Sequence, residues 1–107
     1  MKIAAIAGVL ISFASAAQAA DIDIGIERFI QRNGISKAIL KVTNHLPNKV
    51  SGVYIECAFL DSDRRAIDIG NALINSIDAN SYAYDSASIV AGEGAVKFAD
   101  CRVIRTR

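Results

Sequence analysis

The chain has 107 residues and a formal net charge of +1, with 52% hydrophobic and 21% charged residues. This length allows one domain with one core, and the apolar content excludes a disordered or low-complexity chain. The 12 basic residues barely outnumber the 11 acidic ones, so no nucleic-acid partner is expected. One histidine and two cysteines leave little material for a catalytic or cofactor site, and none is predicted.

The first 19 residues have the pattern of a secretory signal peptide. Lys2 precedes an uncharged stretch over 3–17, and Ala17-Gln18-Ala19 supplies the small residues of a signal-peptidase site. An uncleaved anchor helix is the alternative, but the Ala- and Ser-rich end of this stretch suits a bilayer poorly. We expect cleavage after Ala19, no stable membrane anchor afterwards, and delivery to the bacterial periplasm or the medium. The residues that remain, 20–107, then form one domain.

Cys57 and Cys101 are the two cysteines of the chain. Export would place them in an oxidising compartment, where disulfides persist, and two cysteines allow one intramolecular pairing. A redox pair would have C-x-x-C spacing, and a structural zinc site needs more ligands than this chain groups together. The sequence therefore predicts a structural disulfide between Cys57 and Cys101, which the chain-entropy model values at about 4 kcal/mol.

The segment that follows the signal alternates apolar and polar residues, which predicts strands. Ile22, Ile24 and Ile26 recur at every second position, and Asn33-Gly34 is a strong signal for a hairpin turn. Ile26, Phe29 and Ile30 also fit helical spacing, so a short helix over 25–31 is the alternative.

The clearest inward-facing row is Val53, Ile55, Cys57 and Phe59. Turn residues follow at 61–65 and break the strand. We predict short strands at 66–69 and 72–77, a turn at 78–81 and a strand bearing two tyrosines at 82–84. A loop that is partly strand follows at 86–94, and the last strand is predicted at 95–105. The alternation in the last strand changes phase, which predicts a β-bulge near Ala99-Asp100.

Six or seven short strands separated by regular turns predict an all-β fold, an antiparallel β-sandwich. Its two sheets would pack face to face with their inward rows interleaved. The predicted core is Leu40, Val42, Val53, Ile55, Phe59, Leu73, Ile77, Phe98 and Val103.

Two short motifs resemble those of the FxLYD family, which comprises small immunoglobulin-like bacterial domains outside the cytoplasm. The first is V-T-N at 42–44, and the second is I-E-C-A-F-L-D at 55–61. Asn44 fits the asparagine that ends a strand before a turn in that family, and Asp61 fits the aspartate that ends the later motif. The resemblance implies an immunoglobulin-like sandwich and no catalytic residue.

The chain departs from the family pattern at several positions between Lys41 and Tyr84, the region that the resemblance covers. Cys57, Phe59 and Leu60 stand where the family has Phe, Leu and Tyr, and Asn80-Ser81 replaces a Pro-Gly pair. These substitutions keep the apolar character of the strand and lose its signature.

No residue pattern predicts catalysis or metal binding. His45, the single histidine, lies in a turn without a nucleophile motif, so we interpret it as an exposed polar residue. Asp61, Asp63 and Asp68 are candidate calcium ligands, but arginines interrupt them and EF-hand spacing is absent. A solvated turn is the preferred interpretation.

Three tyrosines form a candidate binding surface, because tyrosine is enriched where proteins recognise one another. They are Tyr54, Tyr82 and Tyr84, and Tyr82 and Tyr84 share a face of their strand. Half-buried packing on the sandwich is the alternative interpretation.

We therefore predict an exported, non-enzymatic module that binds another protein or a cell-envelope component through a sheet face or an edge strand. One alternative is an inhibitor of a secreted hydrolase, which would use a protruding loop at 86–94. A small enzyme is the other alternative, and His45 and the aspartates would have to carry its activity.

Overall fold

The computed structural model describes residues 21–92 and 94–107, and within them it contains six strands and no helix. The strands are β1 (Ile22–Arg32), β2 (Ile35–Asn44), β3 (Val50–Leu60), β4 (Ala66–Ile77), β5 (Tyr82–Val90) and β6 (Phe98–Arg105). They form two antiparallel three-stranded sheets, ordered β1-β2-β5 and β4-β3-β6. The predicted antiparallel β-sandwich is confirmed. The predicted signal peptide over 1–19 lies outside the described residues.

The strand order is that of an immunoglobulin-like sandwich. With the strands lettered A, B, C, C′, E and F in chain order, the sheets are A-B-E and C′-C-F. In the immunoglobulin fold strand F lies next to strand C, as β6 lies next to β3 here. Among the described residues, no strand G lies beside β6. Strand β6 is therefore an edge strand, as is β1.

Strands β1 and β2 form the predicted hairpin, and its turn explains why Asn and Gly stand there. Asn33 and Gly34 both have positive φ, at 54° and 75°, as a type I′ turn requires. The register of the pair shifts between Ile26 and Arg28, which marks a β-bulge in β1. The extra residue lets Ile26 and Phe29, three positions apart, both face the core. The bulge thus produced the helix-like spacing, and the strand interpretation is confirmed.

The core lies between the central strands β2 and β3 and extends toward β4 and β5. Val53, Ile55, Cys57 and Phe59, the predicted inward row, are all fully buried. The buried hydrophobic residues are Ala38, Leu40, Val42, Val53, Ile55, Cys57, Phe59, Ala72, Ile74, Ile77, Ala87, Ile89 and Val96. The aromatic ring of Phe29 in one sheet reaches Phe59 in the other, with 6.1 Å between ring centroids.

The core prediction was wrong at two positions. Leu73 is 53% exposed and Phe98 is 39% exposed, because both lie on the outer face of their sheet. Leu73 pairs with Tyr54, while its neighbours Ala72 and Ile74 point inward. Val103 is partly buried against the core, and the other six predicted residues are fully or almost fully buried.

Three predicted segments have different bounds in the structure. The two short strands predicted at 66–69 and 72–77 are one strand, β4, and most of the predicted loop at 86–94 belongs to β5. The bulge in the last strand lies at Ile104, since Tyr54 pairs with Arg105 and Ile55 with Val103. The predicted bulge near Ala99-Asp100 was wrong.

The two lateral sides of the sandwich differ, and we name each by the two edge strands that face one another there. On the β4–β5 side, these strands lie close together. A Cβ atom on Gly70 of β4 would stand 2.7 Å from the carbonyl oxygen of Ser88 in β5, so only glycine fits. On the β1–β6 side, the two strands approach each other at few places.

Asn44 ties together the loops at one end of the sandwich. Its buried side-chain amide donates to the carbonyl oxygens of Asn48 at 2.8 Å, Ile77 at 3.1 Å and Asp78 at 3.2 Å. Its Oδ1 accepts a hydrogen bond from the backbone N–H of Leu46 at 2.9 Å. Because one side chain satisfies backbone groups in two loops, Asn44 fixes how β2 leaves its sheet and how β4 ends.

Candidate functional site

The disulfide joins Cys57 and Cys101, as predicted. The two residues are direct partners in the β3–β6 ladder, with 4.0 Å between their Cα atoms. The bridge therefore lies within one sheet and secures the edge strand β6 to the central strand β3. A disulfide in a small β domain is compatible with an oxidising compartment.

The three predicted tyrosines do not share a surface. Tyr82 and Tyr84 lie on the outer face of the β1-β2-β5 sheet, each 54% exposed, and their rings make an edge-to-face contact at 5.7 Å. The ammonium group of Lys41 stands 4.4 Å from the centre of the Tyr82 ring. Tyr54 is half-buried on the outer face of the other sheet, with the guanidinium of Arg105 at 4.6 Å from its ring.

The outer face of the β4-β3-β6 sheet carries the largest exposed apolar side chains of β4. We define this face by the outward-pointing residues Tyr54, Glu56, Ala58, Leu60, Ile69, Asn71, Leu73, Phe98, Asp100, Arg102 and Arg105. Ile69 and Leu73 are 49% and 53% exposed. The exposed face of an antiparallel sheet is normally polar, so these residues set this face apart from an ordinary solvated surface.

Arginines surround this apolar surface. Arg102 lies 3.7 Å from Glu56 across the β3–β6 pair, and the guanidinium of Arg64 stacks 4.2 Å from the Phe98 ring. At one end, Tyr54, Leu73 and Arg105 line an open cleft of about 410 Å³ together with Gly52 and Arg107. Aromatic, apolar and arginine side chains together are the composition of protein-recognition surfaces.

Of the residues on this face, Tyr54 is predicted from the sequence as a binding residue, whereas its apolar neighbours Ile69 and Leu73 are not. The signal was present, because both alternating rows of β4 are apolar: Ile69 and Leu73 in one row, Ala72 and Ile74 in the other. A strand with one solvated face needs only one such row. A second apolar row in the same strand therefore indicates that apolar side chains are exposed on the outer face.

His45 and Asp61, which were considered as a catalytic residue and a calcium ligand, lie near the ends of strands and contact neighbouring polar groups. His45 is exposed, with its Nε2 atom 3.8 Å from an Asp23 carboxylate oxygen. An Asp61 carboxylate oxygen accepts hydrogen bonds from the backbone N–H groups of Asp63 and Arg65, at 2.9 and 3.0 Å, and so shapes the β3–β4 turn. Over the described ranges 21–92 and 94–107, no three His, Cys, Asp or Glu side chains come together to hold a metal ion.

The connection between β5 and β6 is held against the body of the sandwich. The side-chain amide of Gln31 donates to the carbonyl oxygen of Val96 and accepts from the N–H of Gly94, both at 2.9 Å. Val96 is 1% exposed, and the backbone N–H of Lys97 donates to Leu60. Within the predicted inhibitory loop at 86–94, residues 86–90 therefore belong to strand β5, and Gly94 is bonded to β1 through Gln31.

No protein-family model, curated protein or solved structure matches the chain. The resemblance to the FxLYD family therefore stays a prediction. In the part of the chain that the structure describes, no helix has the length and apolarity to cross a membrane.

Proposed function

We propose that this protein is an exported, non-enzymatic module that binds another protein or a component of the cell envelope. The binding surface in this proposal is the outer face of the β4-β3-β6 sheet. In this proposal, residues 1–19 are a signal peptide that directs export and is then removed. The Cys57–Cys101 disulfide fits the compartment that export would reach.

The observation that supports binding is the pair of exposed aliphatic side chains on β4, Ile69 and Leu73. Their exposure to water costs free energy that a covering partner would recover, at about 25 cal/mol per Å² of apolar area. The adjacent cleft, with Tyr54 on its wall, offers space for one inserted side chain of the partner. Arg102 and Arg105 at the rim would add orientation through charge.

The inhibitor alternative is less well supported. It requires a loop that projects into the active-site cleft of a hydrolase. Residues 86–90 instead belong to strand β5, the Gln31 side chain binds Gly94 and Val96, and Val96 is buried in the core.

A capture experiment with two matched surface variants tests the binding proposal. Ile69→Thr/Leu73→Thr makes the proposed face more polar with a residue type that favours strands, while Tyr82→Ser/Tyr84→Ser changes the outer face of the other sheet. At micromolar concentration, we expect the unaltered protein and the tyrosine variant to capture a partner from envelope extract. The threonine variant should not capture it. Equal capture by all three, or loss only with the tyrosine variant, would contradict the proposed surface.

Intact mass spectrometry tests the export half of the proposal. The protein recovered from the periplasm or medium should begin at Ala20. Its mass should rise by two hydrogens on reduction, since one disulfide opens. Recovery of the full chain in the cytoplasm with free thiols would exclude export.

A further inference from the structure

The β1–β6 side of the sandwich leaves apolar side chains of the inward rows exposed. Ile26 pairs with buried Leu40 and Phe29 pairs with buried Ala38, so both point toward the core. Nevertheless, Ile26 is 41% and Phe29 is 36% exposed, and Ile104 of β6 is also 41% exposed. These residues are exposed at the side of the sandwich, where nothing among the described residues covers them.

Both strands on this side also have one unpaired backbone edge. Strand β1 pairs with β2 and strand β6 pairs with β3, and neither has a second neighbour among the described residues. An unpaired edge presents a row of N–H and C=O groups that another strand can pair with. A covering element that satisfies both the edge and the apolar row must itself be a β-strand.

The two edges run in opposite directions. The Asn44 side chain at the end of β2 binds the carbonyl oxygen of Ile77 at the end of β4, so β2 and β4 end at the same end of the sandwich. Strand β1 is antiparallel to β2, and β6 runs with β4 because both are antiparallel to β3. Strand β1 of one molecule can therefore lie antiparallel to β6 of a second molecule turned about an axis along the strands.

The outward rows of β1 and β6 complement each other in this antiparallel arrangement. Aligning Phe29 with Ala99 places the outward pairs in order along the ladder: Asp23 with Arg105, Gly25 with Arg102, Arg28 with Asp100, and Ile30 with Phe98. Of these four pairs, Asp23 with Arg105 and Arg28 with Asp100 join opposite charges, and Ile30 with Phe98 is apolar. The remaining pair, Gly25 with Arg102, adds no opposing charge. Each strand has one bulge, at Glu27 in β1 and at Ile104 in β6. The one-residue shift in pairing that the first bulge introduces is therefore cancelled by the second.

The inward rows match in the same register. Ile24, Ile26 and Phe29 of β1 stand opposite Val103, Cys101 and Ala99 of β6, and all six are apolar. Cross-strand pairs of this kind, apolar on one face and oppositely charged on the other, stabilise an antiparallel ladder.

We propose that two copies of this chain associate through their β1–β6 sides, with β1 of each copy pairing with β6 of the other. A twofold axis parallel to the strands relates the copies, and each sheet of one copy continues into the other sheet of its partner. The dimer is closed, because the same surface is used twice. Its formation buries Ile26 and Phe29 and satisfies both free edges. It leaves the outer sheet faces uncovered, but Phe98, Arg102 and Arg105 at the β6 edge of the proposed binding face gain neighbours from β1 of the other copy. Ile69 and Leu73 lie on β4, at the opposite edge of that sheet, so changing them tests the binding proposal separately.

Charge reversal at Arg28 and Asp100 tests this register. Both side chains are exposed, and neither belongs to a salt bridge among the described residues. Sedimentation velocity of the oxidised protein across the micromolar range should show a monomer–dimer equilibrium. Arg28→Asp or Asp100→Arg should each weaken association about tenfold or more, because each places two like-charged pairs in the dimer. Arg28→Asp/Asp100→Arg should restore it.

Arg65→Asp is the matched control, because it makes the same charge change in the β3–β4 turn and should leave association unchanged. Thermal unfolding at low concentration shows whether each variant is folded, and amide hydrogen exchange gives a second readout. Backbone amides of β1 and β6 should become protected as concentration rises. A monomer at every concentration, a dimer insensitive to Arg28→Asp, open-ended polymers, or a double variant no better than the single variants would each overturn the proposal.

Discussion

The two lateral sides of the sandwich differ in how their edge strands are held. On the β4–β5 side, small residues let the edge strands approach, with Gly70 against the backbone of Ser88 and an Asp85 carboxylate oxygen accepting from the N–H of Leu73 at 3.1 Å. On the β1–β6 side, large residues stand partly exposed, and β6 is held by the Cys57–Cys101 bridge. Noncovalent packing thus holds β4 and β5 together on one side. On the other side, a covalent bond within one sheet holds the edge strand β6 to β3.

The largest expected effect comes from removing the bridge that holds β6. Cys57→Ala/Cys101→Ala should lower the free energy of unfolding by about 4 kcal/mol, because the unfolded chain regains the entropy of the closed loop. Denaturant unfolding measures this loss, and reduction of the unaltered protein is the control, which should give a similar loss. Unchanged stability in both would mean that the ladder alone secures β6.

Asn44→Ala should destabilise the end of the packed side by about 3 kcal/mol. Its removal leaves buried backbone groups in two loops without partners, each at a cost of about 1 kcal/mol or more. Asn71→Ala, on the exposed outer face, is the matched control and should change stability by less than about 0.5 kcal/mol. Similar effects of the two substitutions in denaturant unfolding would show that the loops adjust without the amide of Asn44.

Two glycine substitutions compare the sides directly. Gly70→Ala should cost about 2 kcal/mol, because its Cβ would overlap the Ser88 carbonyl oxygen and force β4 and β5 apart. Gly25→Ala in β1 should be neutral or stabilising by up to about 1 kcal/mol, since no nearby heavy atom lies within 4 Å of the added carbon. Thermal unfolding of both variants measures the difference. Equal effects would contradict the distinction between the sides.

A small effect is also expected of Ile26→Thr on the β1–β6 side. At concentrations that keep the protein monomeric, this substitution should cost less than about 1 kcal/mol, because 41% of Ile26 is already exposed. Ile74→Thr, at a position only 7% exposed, should cost about 3 kcal/mol. A large loss for Ile26→Thr in dilute solution would show that the exposed row already contributes to the core of the single molecule.

Asn44 and Asp61 show how a motif can be noticed in a sequence before its role is known. Both fit positions of the FxLYD pattern, and each organises a turn through side-chain hydrogen bonds to backbone groups. Short polar side chains at strand ends signal such turns. The backbone groups that Asn44 binds lie up to 34 residues away, and only the folded chain shows them.

Strand β4 shows where alternation is insufficient. A period of two divides its residues into two rows but does not say which row faces the core when both are apolar. Leu73 is predicted to be in the core, but the structure exposes it and buries Ala72 and Ile74. Contact with β5 decides between the rows, because Gly70 lies against the Ser88 backbone and Ala72 and Ile74 belong to the same row.

The sequence alone determined that the chain is built of strands, where the Asn33-Gly34 hairpin turns, and that Cys57 pairs with Cys101, since these depend on local alternation, backbone preference and a single available partner. The tertiary structure alone decided which edge strands approach each other, where the bulges at Glu27 and Ile104 fall, and which apolar residues stay exposed. These features depend on contacts between strands far apart in the chain. A pattern of period two describes one strand at a time and carries no information about its neighbours.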